Sequence, residues 1–164
     1  MSTEQRAVAD EIIAGPRGRL EGPFLAWINS PDFARHAQRL GALCRYQSGL
    51  PTRLAELAVM VTAVHWRSNT EWNIHYRIAR EAGLSESILA LIRAGASPDF
   101  GDPEERLVYH FTRQLQDSGR VSDRIFNQAV ERFGLRIVTN LVGLIGYYTS
   151  VAMTLNVFEI ELDE

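Results

Sequence analysis

Apolar residues along the chain recur at three- and four-residue spacing, and the breaks between these stretches fall on glycine, proline and short polar residues. No stretch sustains the one-in-two alternation of a half-buried strand, so the pattern predicts an all-α fold of about eight helices. The opening segment MSTEQRAVADEII reads as the first helix, and residues 15–18 with Glu21-Gly22-Pro23 form a loop into a short apolar turn at 24–28. Ser30 caps a second main helix that carries Pro31 at its first position, where a missing N–H leaves nothing unsatisfied. That helix runs to about Gln47, with Phe33, Ala37, Leu40 and Leu43 as its apolar face. The next begins near Pro51, and Leu54, Leu57, Ala58, Val61 and Val64 give it a wide stripe that calls for extensive burial.

Ser68 or Asn69 caps a helix over 70–82, which Gly83 is placed to end in a left-handed conformation. Ser85 starts a short helix ending near Gly95. In Asp102-Pro103-Glu104-Glu105 a cap, a first-turn proline and first-turn acids coincide, which starts a helix to about Ser118. Ser122 starts another to Phe133. Residues 135–158 form a long helix that is apolar nearly all round, as expected at the centre of a fold or at a subunit contact. Residues 137–158 hold no charge and are long enough to span a bilayer. Thr139, Asn140, Thr149, Ser150, Thr154 and Asn156 would need partners there, while Gly143, Gly146 and Ala152 suit close helix packing, so the expected setting is a helical assembly and no membrane. No repeat or linker divides the chain, which reads as a single domain over 1–164.

A chain of 164 residues buries roughly two-thirds of its unfolded surface without disulfides or a structural metal. The formal charge of −3 is spread along the chain, which gives no electrostatic footprint for nucleic acid. All 17 basic residues are arginine, which excludes Schiff-base, pyridoxal-phosphate and lysine general-base mechanisms. Cys44 is the only cysteine, so no intrachain disulfide, CxxC pair or multi-cysteine metal site exists, and the expected compartment is cytoplasmic. The opening segment lacks the basic and apolar regions of a signal peptide. Cys44 sits among Ala42, Leu43 and Tyr46 and reads as a buried structural thiol.

The ionisable residues with a useful spacing are Glu56, Glu71 and His75. Glu71 and His75 are four apart, on one helical face, where a carboxylate and an imidazole share a proton or orient a bound group. Glu56 lies one helix earlier and, with a short connection at Arg67-Ser68, faces the same space. A histidine oriented by carboxylates is a general acid or base near neutral pH. The same pair also occurs as an ordinary surface interaction, so the spacing alone leaves the role open. Four ligand-type residues, His65, His75, Glu56 and Glu71, lie near one another without an HExxH-type spacing, and no metal site is expected. Trp66, Trp72 and Tyr76 are expected as core or interface anchors first and pocket walls second.

The stretch Leu50-Pro51-Thr52-Arg53-Leu54-Ala55-Glu56-Leu57-Ala58, followed by Glu71-Trp72-Asn73-Ile74-His75 and Ala79-Arg80-Glu81-Ala82-Gly83-Leu84-Ser85, resembles the carboxymuconolactone decarboxylase family. Gly18-Arg19-Leu20-Glu21-Gly22-Pro23-Phe24 and Val142-Gly143-Leu144-Ile145-Gly146-Tyr147-Tyr148 look like one subgroup of it. The resemblance implies an alkylhydroperoxidase D-like helical fold assembled as a homo-oligomer, a trimer or hexamer. In the peroxidase members a glutamate is followed by a CxxC pair and a histidine. Here the glutamate is Glu56 and the histidine His75, but the cysteine positions are Ser68 and Glu71, which cannot run a disulfide-forming cycle.

What the resemblance implies instead is a cofactor-independent carboxy-lyase acting on a small carboxylated lactone or related acid, with His75 delivering the proton, Glu71 orienting it and Glu56 completing the relay. Candidate substrate contacts are Arg67, Ser68 and Trp72, with Arg45 as a second arginine suited to a carboxylate. The alternative is a non-catalytic ligand-binding or assembly module of the same fold.

Overall fold

The structure, a computed structural model, describes residues 1–161. It is all-helical: α1 (Thr3–Ala14), α2 (Phe24–Trp27), α3 (Pro31–Tyr46), α4 (Thr52–His65), α5 (Asn69–Glu81), α6 (Glu86–Arg93), α7 (Pro103–Ser118) and α8 (Asp123–Val157). The helix starts follow their local chemistry. Ser2 and Gln5 form a reciprocal capping box on α1, and Asp102 accepts from the backbone N–H groups of Glu104 and Glu105 at the head of α7. Gly134, with φ of 81°, breaks α8 into a first arm, 123–133, and a second arm, 135–157, at the point where the sequence pattern changes.

At the centre lies α4, packed against α5, α7 and α8. Residues 54–63 of α4 are all buried, including Leu54, Leu57 and Met60 without any exposure, and each such side chain contributes about 1.5–3 kcal/mol when taken from water. The head of α4 is tied to α7 by Arg53, which pairs with Asp102 at 3.0 Å and with the buried Glu105. The second arm of α8 lies beside α4 and α3 and buries Val138, Leu141, Leu144, Tyr147, Tyr148, Val151 and Leu155. This helix has the length and apolar composition of a membrane span, yet those side chains are spent on the interior. Its opposite face leaves Leu135, Val142, Met153 and Val157 exposed.

The expected apolar face of α3 is corrected by the structure. Phe33, Leu40 and Leu43 are 49%, 48% and 42% exposed, and the inward face is Ala34, Gln38, Gly41 and Cys44. The reason is distance between helices. Small residues let α3 approach α8 closely, so the bulky apolar residues are turned outward. Gln38 keeps its place inside by donating from Nε2 to Glu11 at 2.8 Å. Cys44 is fully buried, and burial pushes its thiol up to about 11.

Candidate active site

The site starts at the turn between α4 and α5. Arg67 N–H donates to the Val64 carbonyl at 3.1 Å and Ser68 N–H to the Ala63 carbonyl at 2.9 Å, the paired bonds of a Schellman turn. Arg67 takes the left-handed position, φ 52°, usually held by glycine. Asn156 Nδ2 donates to the Trp66 carbonyl at 2.7 Å and ties this turn to the end of α8. The chain is thereby folded back so that α5 lies along α4 and His75 comes against Glu56, 19 residues earlier.

Glu56, Glu71 and His75 are 4%, 2% and 3% exposed. His75 Nδ1 lies 2.6 Å from Glu56 Oε2, and Nε2 lies 3.1 Å from Glu71 Oε1. The first contact is a hydrogen bond. The second is at ion-pair distance but off the hydrogen-bond angle, so Glu71 Oε1 keeps no aligned donor. Burial acts against charge on the ring, but the charge of Glu71 and the contacts with Glu56 and Glu71 outweigh it and hold His75 up to about 9. That shift favours the imidazolium form of the ring at neutral pH, with a glutamate at each nitrogen. It stores a proton inside the protein.

That proton is reachable. A cavity of about 240 Å³ is lined by Glu71 and His75 on α5, Arg45 and Tyr46 on α3, Tyr147 and Tyr148 on α8, Arg17 in the loop between α1 and α2, and Phe24 at the head of α2. Glu56 is not in the wall; it stands behind His75. Tyr148 packs edge-on against His75, ring centroids 5.0 Å apart. Burial and the charges of Glu71 and Glu56 hold its phenol well above the ordinary tyrosine range. Tyr147 accepts a hydrogen bond from Arg17 Nη2 at 3.2 Å, and burial, opposed by Arg17, pushes it up to about 12. Both phenols therefore stay protonated at neutral pH. Among the described residues no cluster of three His, Cys, Asp or Glu side chains is arranged to hold a metal ion.

The structure brings Glu56, Glu71 and His75 together and places Arg45 in the same cavity wall. It does not bring Arg67, Ser68 or Trp72 to that cavity. The Arg67 side chain is exposed beyond the turn, and Ser68 is wholly buried with a hydroxyl that has no partner. Trp72 turns to α6, where the Arg93 guanidinium lies over its ring at 4.9 Å. Arg17, Tyr147 and Tyr148 are cavity residues that spacing on α4 and α5 gave no reason to choose. The available signal was indirect: the subgroup-like segments 18–24 and 142–148 both reach the cavity wall.

The sequence profile described as "Carboxymuconolactone decarboxylase family" matches residues 31–114, half of the chain. This chain belongs to the carboxymuconolactone decarboxylase family. The matched span holds Arg45 and the Glu56–His75–Glu71 group, while Arg17, Tyr147 and Tyr148 lie outside it. A solved structure from Agrobacterium tumefaciens, a protein of unknown function proposed to be the antioxidant defence protein AhpD, shares the fold with a TM-score of 0.72 at 18% identity. The alignment covers 88% of this chain and 100% of that one. No sequence among curated proteins matches this family member.

Proposed function

We propose that this family member is a cofactor-independent carboxy-lyase acting on a small carboxylated lactone or related carboxylic acid by acid–base chemistry. The observation that carries the reading is His75 in a cavity wall with a buried glutamate at each ring nitrogen. In the proposed step the bond between the ring carbon and the carboxylate breaks and CO₂ leaves. The electron pair passes through the conjugated system to the lactone carbonyl oxygen, and His75 then gives its proton to carbon as the carbonyl re-forms. Glu71 holds the ring in register from the cavity side and Glu56 stabilises its charge from behind, so the neutral imidazole left after transfer is readily reprotonated from water. A dithiol peroxidase cycle is not proposed, because the sole thiol, Cys44, is buried and raised to about 11. The outward apolar side chains of α3 and α8 support a homo-oligomer; that it is a trimer or hexamer and works in the cytoplasm is part of the proposal.

The test is consumption of γ-carboxymuconolactone, followed by ultraviolet absorbance and CO₂ release. The wild-type protein is expected to turn it over, and His75→Gln to lower the rate by about 10²–10⁴-fold while keeping its fold. Turnover that survives His75→Gln rejects the acid role. No turnover of this or related carboxylated lactones rejects the lyase.

A further inference from the structure

The acid–base reading leaves two cations of the cavity, Arg17 and Arg45, without a role. Arg17 Nη2 donates to Tyr147, its guanidinium lies over the Phe24 ring at 4.7 Å, and its buried Nε has no acceptor. Among the described residues neither Arg17 nor Arg45 has a carboxylate partner, although Arg19, two positions on, pairs with Glu21 at 2.8 Å. A buried donor without an acceptor on a cavity wall is a position where a ligand oxygen fits.

The seat of this group is built into α3. A Cβ at Gly41 would stand 2.2 Å from the Tyr147 hydroxyl and 2.5 Å from Arg17 Nη2. Glycine in a helix interior is unfavourable, and here it lets the Arg17–Tyr147 pair lie against the helix backbone. Because the Tyr147 oxygen already accepts from Arg17, its own proton is free to point elsewhere.

We propose that Arg17 and Tyr147, seated on Gly41, form the oxyanion subsite of this cavity, receiving the enolate oxygen that develops on the substrate's conjugated carbonyl. The proposal rests on the acid–base reading for its reaction. An arginine on the departing carboxylate would hold the electron pair on the group that must lose it, so the productive partner of Arg17 is the oxygen that gains charge. Arg17 and Tyr147 lie outside the span matched by the family profile, while Gly41 and the proton donor lie inside it.

Tetronate, a five-membered lactone enolate that is anionic at neutral pH, is the probe, and its neutral methyl ether is the control. Calorimetric titration of the wild-type protein is expected to show tetronate bound about ten-fold or more tighter than the ether. Arg17→Gln should erase that preference, and Arg17→Lys should retain part of it. A wild-type protein without the preference, or an Arg17→Gln protein that melts normally and keeps it, overturns the proposal. The two readings fail separately. Tetronate preference without lactone turnover keeps the subsite and rejects the lyase, whereas turnover unchanged in Arg17→Gln rejects the subsite and keeps the lyase.

Discussion

Two depressions in this molecule set size against chemistry. The larger, about 800 Å³, is a groove between α7 and the first arm of α8, lined by Arg106, His110, Arg124, Glu131 and Arg132 among others. Its charges face water and neutralise one another at the rim, as Arg132 does with Glu104. Among the described residues His110 has no carboxylate partner, and burial together with Arg124 and Arg106 holds it below the ordinary histidine range. The smaller, about 240 Å³, has His75 with a carboxylate at each nitrogen and an imidazolium raised to about 9. Burial and arginines lower one histidine's hold on a proton, and glutamates raise the other's. Capacity for proton chemistry follows that difference and not volume.

The sharpest way to break the comparison is to remove each histidine. His75→Leu leaves Glu56 and Glu71 as buried carboxylates without a cation, and the loss expected from stripping a buried ion pair of one partner is about 3–5 kcal/mol. His110→Leu removes a half-buried, uncharged ring and should change stability by about 0.5 kcal/mol or less. Urea unfolding of both variants at pH 7 measures this. Adding Glu56→Gln and Glu71→Gln to His75→Leu should restore part of the loss, since the stranded charges go with them. Equal stabilities for the two single variants would mean that His75 is not the charged partner of Glu56 and Glu71 in the folded protein.

A second test uses the opposite signs of the two shifts. The folded His75 is raised to about 9 from an unfolded value near 6.5, so its contribution is fully present below about pH 6.5 and is lost as pH rises through about 9. A shift of that size corresponds to about 3 kcal/mol. His110 is lowered on folding, so its contribution is present above about pH 6.5 and is lost as pH falls towards its folded value. Unfolding free energies between pH 6 and 9.5 should therefore fall more steeply for the wild type than for His75→Gln. Parallel curves for the two proteins would remove the stored proton from the account.

Much of the fold and of the His75 site was legible in the sequence. The helices declared themselves through caps and breakers that act locally: Asp102-Pro103, Gly83 with φ of 100°, and Gly134 between the two arms of α8. Glu71 and His75 were placed on one face by their spacing, and Glu56 was read on the preceding helix facing the same space. What the pattern misjudged was orientation between helices. On α3 the bulky residues looked like the buried face, but Gly41 and its small neighbours decide the approach to α8, and a periodicity count gives no weight to an absent side chain. Arg67 and Trp72 were near in sequence but are turned out by a Schellman turn and by packing on α6. Arg17 and Tyr147, 130 residues apart, meet only through tertiary packing, which no local spacing encodes.

Gly41 offers the last and smallest test, because a methyl group there reports on the cavity directly. Gly41→Ala gains up to about 1 kcal/mol of helix propensity, but its Cβ would meet the Tyr147 hydroxyl at 2.2 Å, and such overpacking costs about 1–3 kcal/mol. A net loss of about 1–2 kcal/mol is expected, together with loss of the preference for tetronate as Arg17 is pushed aside. Gly146 is the matched control on the outward face of α8, where nothing lies within 4 Å of an added Cβ. In the single chain the propensity term stands alone there, and Gly146→Ala should raise the melting temperature if the proposed homo-oligomer is built on another face. If Gly146→Ala instead lowers it, and does so more at higher protein concentration, that face is packed against a second copy in solution, and the open space beside Gly146 belongs to the isolated chain alone.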